Sequence, residues 1–274
     1  MSEKERLDTE IVKRGLSESR QKAANAIAEG RVRVNGNSVN KSSFKVSEAD
    51  KIEVEKGLSD EFVSRGGQKL KKALSVFNID VKNLDCLDIG SSTGGFTDCL
   101  LKNGANRVIA VDVGSNQLHP SLRGDDRVFV YENTDIRNTT ADNLPFKVRF
   151  ISCDVSFISL VLILSTVYNL LEDKGQAVLL IKPQFEAGRA NIGKNGIVKD
   201  KKVHTEIILK IYARAKDEGF TVSGLDFSPI SGGDGNIEYL IHLKKDKDAQ
   251  EIPDIKSKAR QTVESAHTYL KQSE

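Results

Sequence analysis

From Leu84 onward, short apolar runs alternate with longer amphipathic stretches. The runs LDCLDIG, RVIAVDVG, RVFVYE, VRFISCD and QAVLLIK are rich in β-branched residues, which predicts buried strands. TGGFTDCLLKNG and residues 203–218 predict helices, and residues 220–229 and 238–243 predict two more strands. This alternation predicts a Rossmann-like α/β fold, in which a mostly parallel sheet is covered by helices on both faces.

The first 56 residues show a different pattern, with short elements and frequent turns. Two short helical stretches are expected, and Ser17 is placed to cap the second of them. Asn35-Gly36 lies between alternating apolar residues, which is a strong signal for a β-hairpin. Residues 51–54 predict a further strand. About 50 residues bury only a small core, so a minor α+β domain is expected here.

These patterns divide the chain into four parts. Residues 1–56 form the expected small domain, and residues 57–68 the expected linker. Residues 69–245 form the expected main domain, and its first helix is predicted over residues 68–77. The charged residues 246–274 are expected to form a helix on the surface.

Composition limits the class of protein. The 274 residues are 38% apolar and 29% charged, as in ordinary folded proteins. The most apolar stretch, residues 157–171, is shorter than the about 20 residues of a membrane-spanning helix and is expected to be a core helix. The charged N-terminus has no secretory signal, so the cytoplasm is the expected location. Cys86, Cys99 and Cys153 form no CxxC pair, and we expect reduced core cysteines and no metal site.

Basic residues are concentrated near the start of the chain. Residues 11–45 contain eight basic and two acidic residues, a net charge of +6. The pattern of RLD, SR and GRVRVNGNSV closely resembles the S4 RNA-binding domain of ribosomal protein S4, pseudouridine synthases and tyrosyl-tRNA synthetases. This resemblance implies RNA contacts for Arg6, Arg14, Ser19, Arg20, Lys22, Arg31, Arg33, Asn35 and Lys41. The alternative is a solvated charged face.

A glycine-rich loop follows the first strand of the main domain. Its spacing, D-x-G-x-x-x-G-G, differs from the G-x-G-x-x-G of dinucleotide-binding proteins. S-adenosylmethionine has no phosphate and needs carboxylates for its ammonium and ribose hydroxyls. Asp112 closes the second strand and also fits NAD, but the loop spacing favours the methyl donor. The predicted cofactor residues are Asp88, Gly90, Ser91, Ser92, Thr93, Gly94, Gly95, Phe96, Asp112 and, for the adenine, Asp135.

Four further residues are predicted to meet at one edge of the sheet. Asp154 and Lys182 end two strands, and Glu238 begins the last strand. If that strand is antiparallel to its neighbour, its start lies at the carboxyl edge, where open sheets bind ligands. Lys69 begins the preceding helix and is within reach of the same crevice. Taken singly, each of these residues is more simply a solvated loop residue.

Together the four residues match the Lys-Asp-Lys-Glu tetrad of RrmJ-like (FtsJ-like) ribose 2′-O-methyltransferases. With the S4 pattern, the segments DIGSSTGGF, CDVSFISL, IKPQFEAGR and GNIEYLIHL resemble the TlyA family over residues 6–243. Members of this family are often labelled haemolysin A. The resemblance implies a class I methyltransferase sheet with an antiparallel last strand, S-adenosylmethionine as cofactor, and catalytic roles for the tetrad. It also implies methylation of ribosomal RNA or ribosomal subunits, with no membrane and no required protein partner.

A ribose hydroxyl must lose its proton as it attacks, so a base or a charged group near it is required. Lys182 fits either role. Residues 183–202 contain three glycines and are expected to form a mobile loop, in which Arg189, Lys194, Lys199, Lys201 and Lys202 suit RNA phosphates.

Three other functions remain open at this stage. The first is a ribosome assembly factor that binds RNA without catalysis, and the second is a membrane-lytic protein. The third is a base methyltransferase, which often carries N/D-P-P-Y/F where this chain has Asp154-Val-Ser-Phe157 without the prolines.

Overall fold

The computed structural model describes residues 4–55, 57, 61–188, 191–193, 195–232 and 235–271. The chain divides into two compact units, Met1–Glu61 and Phe62–Glu274. The second unit begins several residues before the expected domain start at residue 69, because Phe62 is buried in its core. We describe each unit by itself.

The N-terminal unit packs two short helices against short strands. Its core includes Leu7 and Ile11 on the first helix and Ala23 and Ile27 on the second, all fully buried. The elements are β1 (Glu5–Arg6), α1 (Leu7–Lys13), α2 (Arg20–Ala28), β2 (Val32–Val34), β3 (Asn37–Ser38), β4 (Lys45–Val46) and β5 (Ile52–Val54). β2 pairs with β3 and β5, and β1 pairs with β4.

The predicted hairpin is confirmed, whereas the predicted helix cap is wrong. Asn35 and Gly36 connect β2 to β3 with φ angles of 52° and 82°, the left-handed region that a two-residue hairpin turn requires. The cap of α2 is Ser19, whose Oγ accepts a hydrogen bond from the Lys22 amide at 3.2 Å. Ser17 lies two residues too early, and its hydroxyl donates to the Ser19 carbonyl.

The larger unit contains a seven-stranded sheet in the order β11-β12-β10-β9-β6-β7-β8. β12 runs antiparallel to both of its neighbours, and the pairings among β6 to β10 are parallel. The predicted fold class is therefore confirmed. The elements are α3 (Gly66–Val76), β6 (Asp85–Ile89), α4 (Gly95–Lys102), β7 (Arg107–Val111), α5 (Pro120–Arg123), β8 (Val128–Tyr131), β9 (Val148–Cys153), α6 (Leu164–Leu170), β10 (Leu171–Ile181), α7 (Pro183–Glu186), α8 (Lys201–Asp217), β11 (Thr221–Phe227), β12 (Tyr239–Lys244) and α9 (Ile255–Lys271).

Apolar side chains cover both faces of this sheet. Cys86 packs in the cluster beneath α3 and α4, and the next residue, Leu87, packs in the cluster on the other face. That second cluster contains residues of α6, α8 and α9. The C-terminal helix α9 buries Ala259, Val263 and Ala266 there, so it is part of the core packing as well as of the surface.

The stretch 157–171 is not the continuous core helix that was expected. A short 3₁₀ turn occupies Leu160–Leu162, and α6 begins only at Leu164. Phe157 has a φ of +64° and is 91% exposed, so it belongs to a surface turn. Among the described residues, no helix is both long and apolar enough to cross a membrane. The three cysteines are buried and unpaired with one another.

Arg14 ties the first helix to the turn between β4 and β5. Its guanidinium donates to the carbonyl oxygens of Ser47 at 2.9 Å and Asp50 at 2.6 Å, and to Glu10 Oε1 at 2.8 Å. These contacts use the donors that were expected to hold RNA. The role of Arg14 in the structure is therefore to stabilise the N-terminal unit.

We expect Arg14→Ala to destabilise this unit by about 1–3 kcal/mol, because two carbonyl groups lose their charged donor. Hydrogen exchange of the amides of residues 45–54 in the full chain measures this. Lys13→Ala, at a neighbouring position whose side chain is 56% exposed, serves as the control. Equal exchange rates in the two variants would contradict a structural role for Arg14.

Candidate active site

The carboxyl ends of the central strands create one functional edge. Ile89 pairs with Cys153, so the glycine loop after β6 lies beside Asp154 after β9. Ile181 pairs with Tyr239, so Lys182 after β10 lies beside Glu238 before β12. The antiparallel direction of β12 therefore brings its start to the edge where the parallel strands end.

Four side chains converge at this edge as an alternating chain of charges. Lys182 Nζ lies 2.6 Å from Asp154 Oδ1, and Lys69 Nζ lies 3.2 Å from Asp154 Oδ2. Lys69 Nζ also lies 2.7 Å from Glu238 Oε2. The structure thus brings together all four members of the predicted tetrad.

Burial and pairing compete in setting the charges of this cluster. Burial lowers the pKa of Lys69, but Asp154 and Glu238 outweigh it, and the pKa lies above its ordinary value. Burial raises the pKa of Asp154, but Lys69 and Lys182 outweigh it and hold that pKa below its ordinary value. Burial keeps the pKa of Glu238 raised despite Lys69. Asp154 is therefore the firmest negative charge of the group.

Lys182 faces the open side of the cluster. Its ammonium group donates to Ser156 Oγ at 2.9 Å in addition to its ion pair with Asp154. An ammonium carries three N–H donors, so one remains beyond these two contacts. Lys182 also lines the adjacent cleft, which makes it the tetrad lysine best placed to meet a ligand.

The cleft beside the tetrad has a volume of about 220 Å³. It contains most of the predicted glycine loop, together with Ser64, Gly66 and Ser156, which were not predicted from the sequence. Its lining residues are Ser64, Gly66, Gly90, Ser91, Ser92, Thr93, Gly95, Phe96, Asp154, Ser156 and Lys182. A larger but wide-open depression near Arg149 and Lys245 lies at the opposite edge of the sheet, away from the tetrad.

Two glycines of the loop are required by its close approach to other segments. Gly90 has a φ of +79°, and a Cβ there would lie 2.6 Å from the Asp154 carbonyl oxygen. Gly94 has a φ of +94°, and a Cβ there would lie 2.3 Å from the side chain of Leu122. Gly94 therefore shapes the loop before α4 without lining the cleft itself.

Asp88 lies beneath the loop instead of lining the cleft. Its side chain is fully buried and accepts hydrogen bonds from Thr97 Oγ1 at 2.7 Å and Ser152 Oγ at 2.9 Å. Burial raises the pKa of Asp88 to about 7 in spite of these bonds. The expected direct contact between Asp88 and a cofactor ammonium does not fit this placement, so its role is to support the loop.

The other two predicted cofactor acids differ from each other. Asp112 accepts from the Ser92 amide at 2.8 Å and from the Gly114 amide at 2.7 Å, which holds it beside the glycine loop. Asp135 instead caps a short 3₁₀ turn and binds the guanidinium of Arg137 with both carboxylate oxygens. Both carboxylate oxygens of Asp135 therefore already accept hydrogen bonds from Arg137, and its contact with adenine stays a prediction.

Several predicted RNA contacts of the N-terminal unit serve its own structure. Arg14 and Ser19 hold the turn and the helix described above. Asn35 donates to Asp50 and accepts from the Lys51 amide. Arg31 donates to the Glu55 carbonyl and pairs with Glu29. Each of these four side chains therefore has a hydrogen-bond partner within the N-terminal unit.

The remaining predicted RNA contacts keep exposed side chains. Arg6 and Arg20 both bind Asp8, with their own side chains 43% and 62% exposed. Both guanidinium groups donate to the Asp8 carboxylate and keep further N–H groups at the surface. The pKa of Asp8 is lowered to about 2, chiefly by its hydrogen bond from Arg6. Arg33, whose side chain lies 3.4 Å from Glu55, and Lys41 are also exposed. Lys22 pairs with Glu18 and is less exposed.

The segment after Lys182 was expected to be a mobile loop, but its second half is not one. Val198 is buried, its amide donates to Asn236 Oδ1 at 3.1 Å, and its carbonyl lies 2.8 Å from His204 Nε2. Lys201 begins α8 and pairs with Glu264. This half of the segment is therefore fastened to the core. Lys199 and Lys202 are exposed, whereas Arg189 and Lys194 lie outside the described residues.

The comparisons with known proteins agree with this geometry. Residues 62–245 match the family described as FtsJ-like methyltransferase, and residues 5–52 match the S4 domain. A Mycobacterium tuberculosis (strain CDC 1551 / Oshkosh) protein named 16S/23S rRNA (cytidine-2′-O)-methyltransferase TlyA is 40% identical over 90% of this chain and 92% of its own length. The chain belongs to the TlyA family of FtsJ-like methyltransferases.

Two other similar proteins span nearly the whole of this TlyA-family chain. A Bacillus subtilis (strain 168) protein named "Putative rRNA methyltransferase YqxC" is 48% identical over 99% of this chain and 97% of its own length. A solved structure described as "Putative hemolysin from Streptococcus thermophilus" has 45% identity and a TM-score of 0.78, covering 100% of this chain and 99% of that one. The S4 domain and the FtsJ-like domain therefore occur together in relatives of the same length.

Asp88→Asn tests the buried carboxyl group beneath the loop. Because the pKa of Asp88 is raised to about 7, the folded protein keeps a proton that the unfolded chain releases above about pH 4. The free energy of unfolding of the wild type is therefore expected to fall with rising pH up to about pH 7. The free energy of unfolding of the variant, relative to that of the wild type, is therefore expected to rise by up to about 1.4 kcal/mol per pH unit between pH 5 and 7. Above pH 8 this difference is expected to stay constant. Urea unfolding across this range measures the difference, and parallel curves for the two proteins would rule out the assignment.

Proposed function

We propose that this protein transfers a methyl group from S-adenosylmethionine to a ribose 2′-hydroxyl of ribosomal RNA. The observation that carries the proposal is the chain of ion pairs from Lys182 through Asp154 and Lys69 to Glu238, beside a cleft built from a glycine loop. The M. tuberculosis relative is named a cytidine-2′-O-methyltransferase, which supports the same reaction.

The residues present fit this cofactor. When bound, S-adenosylmethionine supplies an electrophilic methyl group on a sulfonium. Asp112 is held by one amide at each oxygen, and a carboxylate oxygen has a second lone pair that suits a ribose hydroxyl. The cleft is smaller than the roughly 300–1,000 Å³ of typical ligand pockets, so the surface around exposed Ser92 and half-buried Asp112 would hold the remainder.

Lys182 is the residue proposed to meet the ribose hydroxyl. Its remaining N–H would donate to the hydroxyl oxygen and turn a lone pair of that oxygen toward the methyl group. As the O–CH3 bond forms and the bond from methyl to sulfur breaks, the hydroxyl proton would pass to water, and Lys182 would stabilise the negative charge that develops on the oxygen. Asp154 holds Lys182 at 2.6 Å, Lys69 in turn holds Asp154, and Glu238 holds Lys69. Lys182 already acts as a donor to Asp154 and Ser156, and we propose the same donor role for its third N–H in preference to that of a neutral base.

The S4 domain supplies the proposed grip on RNA. Arg6, Arg20, Arg33 and Lys41 expose cationic groups on one small domain, which suits phosphate contacts. Because Arg14, Arg31 and Asn35 have structural partners, the proposed RNA surface is narrower than the sequence pattern alone indicates.

Phe157 is proposed to contact a base of the RNA. Phe157 is 91% exposed and follows Asp154, the ion-pair partner of Lys182, by three residues. Its ring lies 5.1 Å from the Phe185 ring. An exposed aromatic ring offers a surface on which any base can stack. A stacked base beside the cleft would hold its own ribose near Lys182.

We expect Lys182→Ala to lower the rate of methyl transfer at least about 100-fold, with little change in cofactor affinity, because it removes the group that orients the hydroxyl. Lys69→Ala is expected to lower it as well, whereas Lys71→Ala, an exposed lysine on the same helix, serves as the matched control. Labelled methyl transfer to ribosomal subunits gives the rate, and mass spectrometry of nucleosides gives the methylated atom. Label on a base would exclude ribose methylation, and the absence of transfer by the wild type to any ribosomal particle would favour an RNA-binding protein without catalysis.

We expect Phe157→Ala to raise the KM for RNA roughly 5- to 100-fold, because stacking on an aromatic ring is worth about 1–3 kcal/mol per base. Cofactor affinity should stay unchanged, since the ring is not among the cleft-lining residues. Leu162→Ala, which shortens another exposed apolar side chain of the same segment, is the control. The assignment fails if both variants have the same KM for RNA.

A further inference from the structure

The turn that carries Phe157 is held in an unfavourable conformation. Phe157 has a φ of +64°, a region that bulky residues rarely adopt, and its exposed ring gains almost nothing from burial. Such a conformation persists only where surrounding contacts fix it. The contacts that fix this turn therefore also determine the position of the Phe157 ring.

Glu186 supplies two of these contacts. Its Oε2 accepts a hydrogen bond from Ser159 Oγ, and its Oε1 accepts one from the Leu160 amide, both at 2.6 Å. The Glu186 side chain is only 1% exposed. A single carboxylate on α7 thus holds the end of the Phe157 turn through a side chain and the backbone.

The same two segments touch at two further points. Lys182 donates to Ser156 at one end of the turn, and the Phe185 ring lies against the Phe157 ring in its middle. Residues 156–160 and residues 182–186 are therefore joined along their whole length. Any shift of α7 relative to the turn would move Phe157 relative to Lys182.

A carboxylate is an unfavourable choice for packing alone at this position. Burial raises the pKa of Glu186, and its ion-pair partner Lys210 holds its Nζ 3.7 Å away on a side chain that is 52% exposed. An apolar side chain would fill the same space without that cost. What an apolar side chain cannot do is accept the hydrogen bonds of Ser159 and Leu160.

We propose that Glu186 is a positioning residue that fixes the Phe157 turn at a set distance from Lys182. One nucleotide can then stack its base on the Phe157 ring while its ribose hydroxyl contacts Lys182. This inference rests on the proposed RNA methylation for its purpose, but its physical content, the order of the turn, is independent of that activity. Glu186 acts through Phe157 and touches neither substrate nor cofactor.

The order of the turn is measured first, without activity. The chain has no tryptophan, so Phe157→Trp introduces a single tryptophan at the turn, whose fluorescence is excited selectively over that of the five tyrosines. We expect its steady-state anisotropy to fall and its quenching by acrylamide to rise when Glu186→Ala is added, and to stay near the parent value with Glu186→Gln, which keeps an acceptor. Glu206→Ala and Glu206→Gln, at an exposed glutamate on α8, repeat the same chemical changes away from the turn as controls. Unchanged fluorescence in the Glu186→Ala background would overturn the proposal.

The effect on the reaction is measured second, by a double-mutant cycle in the tryptophan-free chain. We expect Glu186→Ala to raise the KM for RNA at least about fivefold, to leave cofactor affinity within about twofold, and to add little once Phe157→Ala is present. Glu186→Gln is expected to restore most of the loss. Additive effects of the two alanine variants would overturn the coupling, even if both variants are impaired.

Two outcomes need separate treatment. If Glu186→Ala does not fold, Ser159→Ala removes one of the two hydrogen bonds while keeping the carboxylate and its amide contact, and the same fluorescence and kinetic changes are expected in weaker form. If the wild type transfers no methyl group to RNA, the proposed function fails, while the fluorescence result still decides whether Glu186 orders the turn.

Discussion

Two lysines and two carboxylates share one buried edge of the sheet, and their mutual pairing is the constraint on which the rest of the site depends. Each charge is largely withdrawn from water, so each is tolerable only beside its partner. The four residues come from α3 and from the ends of β9, β10 and β12. The registers that pair Ile181 with Tyr239 and Ile89 with Cys153 therefore serve the charge cluster as much as they serve the core.

Around this cluster, buried polar side chains hold backbone segments instead of contacting the cleft. Asp88 joins α4 to β9 through Thr97 and Ser152, and Glu186 joins α7 to the Phe157 turn. Asn236, two residues before Glu238, joins the last strand to the segment at Val198. Each of these contacts fixes the start or end of an element that carries a tetrad residue. A site fixed in this way needs little rearrangement when charge develops in a reaction.

The N-terminal domain shows how one residue type serves two purposes. Arg14 and Arg31 donate to backbone carbonyls. These contacts add stability to a domain whose core is small, because the domain has only about 50 residues. Arg6 and Arg20 instead share the carboxylate of Asp8 at the surface. That carboxylate holds two guanidinium groups close together against their repulsion. A basic sequence pattern therefore overstates the number of cations available to a partner.

The sequence by itself determined the strands, the Asn35-Gly36 hairpin, the glycine loop and the membership of the tetrad, because periodicity and turn chemistry are local and parallel strands end at a common edge. Only the tertiary structure decided where individual side chains point. Asp88 lies in one predicted strand and Asp135 follows another, yet Asp88 is buried beneath the loop and Asp135 is engaged by Arg137. Phe157 looked like part of a core helix and is exposed, and Glu186 gave no signal in the sequence. These differences depend on which distant groups compete for each side chain, and that competition is settled only when the elements pack.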